Sequence, residues 1–254
     1  MKVLITGASS GIGKDLATEF AKLKYSLVLV ARSEYKLQTI SEELNKKYNA
    51  NVEYYVADLS NEEACKKLYE NYKDIDILVN NAGFGDFGFF SETDLDKDLQ
   101  MIKTNVLGLH ILTKLFLKNM KKKNCGKILN VASIAGFMPG PLMATYYASK
   151  NYVVRLSEAI REELIKEKSN VTISILCPGP VDTNFNNVAN VKINIKGLTS
   201  EYVAKYTVKK LLKNKFYIVP GFNIRLVKFF SKIVPTSIMA KSAYYMQKKK
   251  DVSH

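Results

Sequence analysis

Cysteine and histidine are scarce in this chain of 254 residues, which has three cysteines and two histidines. Cys65, Cys125 and Cys177 are odd in number and widely spaced, so they form neither a metal motif nor a disulfide framework. We interpret them as small buried apolar residues of a protein in a reducing compartment such as the cytosol. With so few histidines, no metal site is predicted.

The chain also lacks an uninterrupted apolar run of about 18 residues, the length that indicates a membrane-spanning helix. Its apolar start, residues 1–6, passes at once into the glycine- and serine-rich residues 7–13, which a signal peptide would not do. The hydrophobic fraction of 47% and the charged fraction of 24% are ordinary for a globular protein. We therefore expect a cytoplasmic protein.

Acidic residues are nearly missing from the last quarter of the chain. Residues 192–254 contain 14 Lys and Arg against 2 Asp and Glu, whereas residues 1–191 contain 24 against 22. The net charge of +14 is therefore concentrated in the C-terminal region, where residues 222–254 are predicted to form a basic helical extension. One apolar stripe of this helix is predicted at Leu226, Phe229, Phe230 and Ile233, flanked by Arg225, Lys228 and Lys232.

Two kinds of role remain open for this extension. It can pack on its own domain or on a partner subunit, with its lysines in solvent. It can instead lie peripherally on an anionic membrane or contact an acidic acyl carrier. Nucleic-acid binding is not predicted, because the basic and aromatic residues follow no recognised binding fold.

Short apolar strands alternate with amphipathic helices along the rest of the chain. Strands are predicted at 2–6, 25–31, 52–57, 76–80, 126–132, 171–177 and 216–220. Helices are predicted at 12–24, 34–48, 61–72, 94–119, 199–213, and over about twenty residues from Tyr146. This order predicts an α/β fold with a single Rossmann-type, doubly wound parallel sheet of about seven strands and helices on both faces. No linker or internal repeat divides the chain, which we interpret as one domain, with residues 222–254 as a helical extension of it.

A glycine loop, TGASSGIG at residues 6–13, directly follows the first strand and opens the first helix. In a doubly wound fold this is where a dinucleotide pyrophosphate binds, on free N–H groups at the positive end of the helix dipole. A tight turn without a ligand is the alternative. The spacing of Gly7, Gly11 and Gly13 differs from the Gly-x-Gly-x-x-Gly pattern of long-chain dehydrogenases.

Five further motifs follow in a fixed order: NNAG at 80–83, TNVLG around Asn105, NVASIAG around Ser133, YYASK at 146–150 and PGPVDT at 178–183. With the glycine loop, they make the chain resemble the short-chain dehydrogenases/reductases from Lys2 to about Val219. The resemblance implies that residues 1–221 form an NADP-binding catalytic domain, with a substrate lid at 184–200.

Helical geometry alone does not choose between Tyr146 and Tyr147 as a partner of Lys150, because both spacings place the pair on one face. The family motif, Tyr-x-x-x-Lys, selects Tyr146. The resemblance implies that Tyr146 is the general acid/base and that Lys150 lowers the tyrosine's pKa and anchors the cofactor ribose. It also implies that Ser133 holds the substrate oxygen and that Asn105 holds a water for proton return.

The expected cofactor is NADP(H) rather than NAD(H). Ala31 occupies the position of the acid that would accept from the ribose hydroxyls, and Arg32 follows it, ready to pair with a 2′-phosphate together with Ser9. Asp58 resembles the acid that contacts adenine, although capping of the next helix is its alternative role. The predicted cofactor-binding residues are Gly7, Ser9, Ser10, Gly11, Ile12, Gly13, Arg32, Asp58, Leu59, Asn81, Ala82, Gly83, Tyr146, Lys150, Pro178, Gly179, Val181 and Thr183.

The resemblance predicts an NADPH-dependent oxidoreductase that transfers hydride between NADP(H) and a carbonyl or secondary alcohol of a hydrophobic or acyl-type small molecule. An NADP-dependent epimerase or dehydratase on the same scaffold is a second possibility. The third is an NADP-binding regulatory or membrane-associated protein with little turnover. A homo-oligomer, with a dimer favoured over a tetramer, is expected.

Overall fold

The computed structural model describes residues 1–183, 185, 189, 197–231 and 233–248. Its main sheet has seven strands, which are β1 (Lys2–Thr6), β2 (Ser26–Ala31), β3 (Val52–Val56), β4 (Ile77–Asn80), β5 (Lys127–Val131), β6 (Thr172–Leu176) and β9 (Tyr217–Ile218). All seven are parallel, and their order across the sheet is β3-β2-β1-β4-β5-β6-β9. The predicted seven-stranded parallel sheet is confirmed.

The strands read as continuous apolar runs because helices cover both faces of the sheet. In β1, Val3 and Ile5 lie in one core cluster and Leu4 lies in the other. Successive side chains of a strand point to opposite faces, so a central strand needs apolar residues at every position.

Helices lie on both faces, as predicted. One face packs against α1 (Gly11–Lys22), α2 (Glu34–Tyr48) and α7 (Ser200–Leu211). The other face packs against α3 (Glu62–Asn71), α5 (Leu109–Lys123) and α6 (Ala144–Lys166). Phe20 of α1 and Phe116 of α5 are fully buried on opposite faces. Each helix therefore contributes one apolar stripe to a core centred on the sheet.

The predicted helix at 94–119 is in fact three consecutive segments. A short α4 (Leu95–Ile102) leads into a π-helical stretch at Lys103–Gly108, which continues into α5. Such π-bulges are frequent at functional sites. Asn105 lies within this stretch.

Two very short strands also escaped sequence prediction. β7 (Val181–Asp182) and β8 (Leu198–Thr199) pair in parallel beside the main sheet, at the two ends of the predicted lid. Two residues are too few to show an alternating pattern in a sequence. Apart from Phe185, Ala189 and residues 197–200, the predicted lid lies outside the described residues.

The C-terminal extension is helical, as predicted, but it forms two helices. They are α8 (Phe222–Phe230) and α9 (Thr236–Lys248). Ile233 lies beyond the end of α8, so it does not share one helical stripe with Leu226, as the sequence had indicated. Lys232 lies outside the described residues.

The extension leaves its large apolar side chains exposed. Phe229 and Phe230 are 59% and 53% exposed, and no residue of α8 is buried. In the described part of the chain, no helix is both long enough and apolar enough to cross a lipid bilayer.

The prediction that all three cysteines are buried is wrong at one position. Cys65 and Cys177 are buried, whereas Cys125 is exposed, because it follows the end of α5 in the turn before β5. Within the residues that the structure describes, no group of three or more His, Cys, Asp and Glu side chains is placed to hold a metal ion.

Candidate active site

The candidate site lies where the strand order reverses, between β1 and β4. These two strands are neighbours in the sheet, and the chain leaves them toward opposite sides. Parallel sheets leave a crevice at the carboxyl ends of the strands at such a point. The residues after β1 and those after β4, including Gly7 and Asn81, meet in this crevice.

The glycine loop after β1 is packed too closely for side chains. Gly7 has a φ of +64°, and a Cβ there would lie 2.8 Å from the Cα of Ala82. A Cβ at Gly13 would lie 2.3 Å from the carbonyl oxygen of Gly7. The Asn81 amide ties the loop down by donating to the carbonyl oxygens of Thr6 and Gly7 at 2.9 and 3.1 Å. The glycines thus bring the backbone and the start of α1 to the crevice floor.

The crevice holds a first cavity of about 370 Å³, which we call the long cavity. Its walls come from the glycine loop, the ends of β2, β3 and β4, and the loop after β6. The predicted cofactor-binding residues that line it are Gly7, Ser9, Ser10, Gly11, Ile12, Arg32, Asp58, Leu59, Asn81, Ala82, Gly83 and Thr183. Their convergence on one elongated cavity fits a dinucleotide, with the glycine loop under the pyrophosphate.

One end of the long cavity is basic. Arg32 follows β2, and Lys36 lies one helical turn further on, in α2; both side chains line the cavity. Sequence reasoning found Arg32 but missed Lys36. The signal that could have found it is the four-residue spacing, which places both residues on one side of a helix start.

Asp58 also lines the long cavity and does not cap α3. Its Oδ1 accepts from the backbone N–H and the hydroxyl of Ser60, at 3.0 and 2.8 Å. The cap of α3 is Asn61, whose side chain accepts from the N–H of Ala64. The alternative role of Asp58 as a helix cap is therefore wrong.

A second cavity of about 180 Å³, the short cavity, adjoins the first and shares Ile12, Asn81 and Gly83 with it. Ser133 reaches it from the end of β5, and Tyr146 and Lys150 reach it from the first turns of α6. The other predicted residues that line it are Pro178, Gly179, Val181 and Thr183.

Ser133, Tyr146 and Lys150 are close enough to act on one small group. Ser133 lies close enough to the phenol of Tyr146 for its side chain to favour the ionised form and lower the pKa of the phenol. Lys150 Nζ lies 5.8 Å from the centre of the Tyr146 ring and donates to the carbonyl oxygen of Val131 at 3.0 Å. Lys150 is 5% exposed, so its ammonium group is largely removed from water.

Burial governs the ionisation of this pair. It raises the pKa of Tyr146 to about 12, against the opposing effect of the Ser133 hydrogen bond, and lowers the pKa of Lys150 to about 8. Desolvation of the phenolate is thus the largest influence on the pKa of Tyr146, and the expected lowering of this pKa by Lys150 stays a prediction. At neutral pH the phenol is protonated and Lys150 is mostly charged.

Asn105 does not line either cavity. Its Oδ1 accepts from the N–H of Phe84 at 3.1 Å, and its Nδ2 donates to the carbonyl oxygen of Phe84 at 2.8 Å and to Ser149 at 3.1 Å. The side chain thus joins the loop after β4 to α6. Its role in returning protons through a water stays a prediction.

Tyr147 packs edge-on beside Tyr146 and is hydrogen-bonded to the C-terminal extension. Its ring lies against Gly140, where a Cβ would come within 2.1 Å of the ring. Its hydroxyl accepts a 2.7 Å hydrogen bond from Nε2 of Gln247 in α9, and both residues line the short cavity. Sequence reasoning missed Gln247, and no sequence pattern indicates it, since α9 reaches the cavity only through the folding of the extension.

A family model described as short chain dehydrogenase matches residues 1–194. The chain belongs to the short-chain dehydrogenase family. It is therefore an oxidoreductase that acts on hydroxyl or carbonyl groups with a nicotinamide cofactor. The long and short cavities fit this assignment, with glycine-lined space for a dinucleotide beside a Ser–Tyr–Lys cluster.

Relatives and solved structures agree on the family and differ in cofactor. An NADP-dependent 3-hydroxy acid dehydrogenase of Schizosaccharomyces pombe is 35% identical over 85% of this chain and 89% of its own length. A short-chain dehydrogenase from Sphingobium yanoikuyae, solved with NADPH, matches 100% of this chain and 96% of its own with a TM-score of 0.83 and 25% identity. A family member from Burkholderia phymatum, solved with NAD, matches 89% of this chain and 91% of its own, with a TM-score of 0.81 and 28% identity.

Proposed function

We propose that this protein is an NADPH-dependent reductase that converts a carbonyl group of a small hydrophobic or acyl-type molecule into a secondary alcohol, and the reverse. The observation that carries the proposal is the meeting of Ser133, Tyr146 and Lys150 in a small cavity that opens into the long, glycine-lined one. NADPH bound in the long cavity would supply the hydride.

Ser133 and Tyr146 would bind the carbonyl oxygen through their hydroxyls and hold the carbonyl carbon at the junction of the two cavities. As the carbon gains a hydride, its oxygen becomes an alkoxide. Tyr146 would donate its proton to that oxygen, which suits a phenol that burial keeps protonated at neutral pH. Lys150 would stabilise the resulting phenolate until a proton returns from solvent.

The basic end of the long cavity supports NADP(H) over NAD(H). Arg32 and Lys36 both line this end, where a 2′-phosphate would lie, and Ala31 stands where an acid would repel that phosphate. Guanidinium and ammonium groups form charge-assisted hydrogen bonds with phosphate oxygens, whereas ribose hydroxyls need an acceptor.

The walls of the short cavity support a partly apolar substrate. Met143, Phe185 and the buried Ala189 form an apolar cluster against Tyr146. We further propose that the C-terminal extension lies on an anionic lipid surface. Exposed aromatic rings on α8 and basic side chains share this region, and from Tyr202 to Lys248 the chain contains no Asp or Glu.

Cofactor oxidation with NADPH and NADH, measured in parallel on ketones, aldehydes and 3-oxoacyl thioesters, tests the enzymatic proposal. Wild-type protein should turn over at least one class with NADPH. Tyr146→Phe should reduce kcat by about a hundredfold or more while cofactor binding is kept. A matched control is Tyr152→Phe on the same helix, whose hydroxyl bonds to His110 outside both cavities.

Two outcomes would contradict this proposal. Turnover that survives Tyr146→Phe would remove the general acid from the mechanism. Cofactor binding without turnover of any substrate would favour a regulatory protein instead, and epimerisation or dehydration without net cofactor oxidation would favour the other enzymatic reading.

A further inference from the structure

One wall of the short cavity comes from the C-terminal extension. Gln247, near the end of α9, lines this cavity and is 2% exposed, although its neighbours Met246 and Lys248 are exposed. The helix is thus anchored over the cavity by a polar side chain. A glutamine is rarely buried to this extent unless its amide is hydrogen-bonded.

The amide of Gln247 is only half satisfied. Nε2 donates to the hydroxyl of Tyr147 at 2.7 Å, but Oε1 is buried and has no hydrogen-bond partner among the described residues. A buried carbonyl oxygen without a donor is unfavourable, so each such atom in a folded protein calls for an explanation. Because Gln247 lines the short cavity, a ligand there can supply the donor.

Tyr147 has the complementary capacity. Its hydroxyl accepts from Gln247, and no hydrogen bond donated by this hydroxyl occurs within the described part of the chain. A tyrosine hydroxyl both donates and accepts, so its proton remains available. Side by side, the two residues offer one acceptor and one donor to the same cavity.

We propose that Gln247 and Tyr147 form a hydroxyl-binding subsite, so that the preferred substrate is a hydroxylated carbonyl compound, or a diol in the reverse direction. A hydroxyl group can donate to Oε1 of Gln247 and accept from the hydroxyl of Tyr147 at once. An ether or a second carbonyl can only accept. This inference rests on the proposed function and names the substrate class for the same site.

The subsite is within reach of the reacting group. The rings of Tyr146 and Tyr147 have their centres 6.1 Å apart, and both line the short cavity. A small molecule whose carbonyl lies at Tyr146 can therefore place a second group at Tyr147. The separation between carbonyl and hydroxyl is then a property of the substrate that a chain-length series can measure.

The experiment uses the full-length protein with NADPH and a series of ω-hydroxy-2-alkanones of increasing length. Each is compared with the 2-alkanone carrying methyl in place of the hydroxyl, and with the corresponding methyl ether. At the matching length the wild type should prefer the hydroxyl compound by about tenfold in kcat/KM over both analogues. Gln247→Leu should bring this ratio close to one, mainly by raising KM for the hydroxyl compound.

Met246→Leu, at an exposed position of the same helix, is the matched control and should keep the wild-type ratio. Gln247→Glu, which retains an acceptor, should keep part of the preference. The proposal is overturned if no chain length gives a hydroxyl preference in the wild type, if the methyl ether is preferred, or if Gln247→Leu keeps the preference. The comparison of the hydroxyl, methyl and ether compounds on the wild-type protein tests the subsite even where a variant fails to fold.

A separate binding measurement distinguishes failure of this inference from failure of the proposed function. If no ketone is reduced, calorimetry of the NADP⁺-loaded protein with matched diols and mono-alcohols is the readout. Tighter binding of the diol would support the subsite in a protein without turnover. Equal affinities would overturn the subsite, whatever the protein's activity.

Discussion

Burial shifts the pKa values of Tyr146 and Lys150 in opposite directions. Each side chain is left in the protonation state that reduction of a carbonyl needs. Burial disfavours the charged form of each, so it raises the pKa of the phenol to about 12 and lowers that of the ammonium to about 8. The phenol is thereby kept as a proton donor, and the ammonium lies close to losing its charge. Reduction of a carbonyl needs a protonated phenol at every turnover, because the phenol donates the proton to the carbonyl oxygen.

Replacing Lys150 by Met should change how stability depends on pH. Between about pH 8 and the ordinary value of 10.5, the unfolded chain still binds the lysine proton and the folded protein does not. The free energy of unfolding of the wild type should therefore rise with pH across this window, and that of Lys150→Met should rise less. Urea denaturation at several pH values from 8 to about 10 measures the difference, below the range in which Tyr146 opposes it.

Exposed Lys114 on α5 provides the control, since Lys114→Met should leave the pH dependence of the wild type intact. Parallel curves for the wild type and Lys150→Met would show that Lys150 does not carry a lowered pKa in the folded protein.

Cofactor choice is predicted to depend on Arg32. Arg32→Ala should lower kcat/KM for NADPH by about tenfold to a hundredfold, because a charge-assisted contact with the 2′-phosphate is lost, and should alter kcat/KM for NADH little. Adding Lys36→Ala should lower the NADPH value further. Steady-state kinetics with each cofactor measures both effects, and Arg155→Ala, at an exposed position on α6, is the control. A wild-type protein that prefers NADH would contradict the proposed role of Arg32 in cofactor choice.

At the scale of elements, α6 is held in place by buried polar side chains as well as by apolar packing. Asn80 of β4 donates to Asn130 of β5 at 3.0 Å and to Thr113 of α5 at 2.9 Å, and Asn130 donates to Ser157 of α6 at 2.9 Å. These contacts join two strands and two helices next to the site. A connected network of this kind admits few alternative arrangements, which favours one register of α6 against the sheet.

Asn130→Leu should lower the free energy of unfolding by about 1–3 kcal/mol, because the buried side chains of Asn80 and Ser157 each lose one hydrogen-bond partner. Asn71→Leu, which removes an exposed hydrogen bond to Tyr55, should lower the free energy of unfolding much less. Urea denaturation of both variants makes the comparison. Equal losses would mean that the network adds nothing beyond an ordinary surface contact.

At the scale of the whole molecule, charge and exposed apolar surface coincide at the C-terminal extension. The extension leaves Phe229, Phe230 and Tyr245 exposed, and it also carries exposed Lys241 and Lys248. A self-complementary dimer interface would bring like charges together, whereas an anionic bilayer offers both negative headgroups and an apolar phase. The charge distribution therefore favours a lipid surface over a second copy at this face.

The protein should sediment with vesicles of phosphatidylserine and phosphatidylcholine and bind vesicles of phosphatidylcholine alone more weakly. Added salt should weaken binding, since it screens the charges. Lys241→Glu combined with Lys248→Glu should reduce binding by about thirtyfold, at roughly 1 kcal/mol for each basic residue near the surface. Lys46→Glu with Lys47→Glu, at exposed positions on α2, should not. Equal binding to vesicles with and without phosphatidylserine would contradict the lipid proposal. Binding to an acidic acyl carrier instead of to vesicles would also contradict it.

The sequence by itself determined the order of strands and helices, the parallel sheet and the positions of the glycine loop and of Tyr146. These features depend on residues close together in the chain: apolar runs, helical spacing and motifs whose members follow one another. The resemblance carried by those motifs agrees with the family assignment.

Tertiary structure alone decided the raised pKa of Tyr146, the π-helical turn at Asn105, and the meeting of Lys36 with Arg32 and of Gln247 with Tyr147. A pKa depends on how completely neighbouring segments exclude water, which local sequence does not record. Gln247 lies 100 positions from Tyr147. No periodicity links residues so far apart, so their contact is determined by how the C-terminal helices fold back over the sheet.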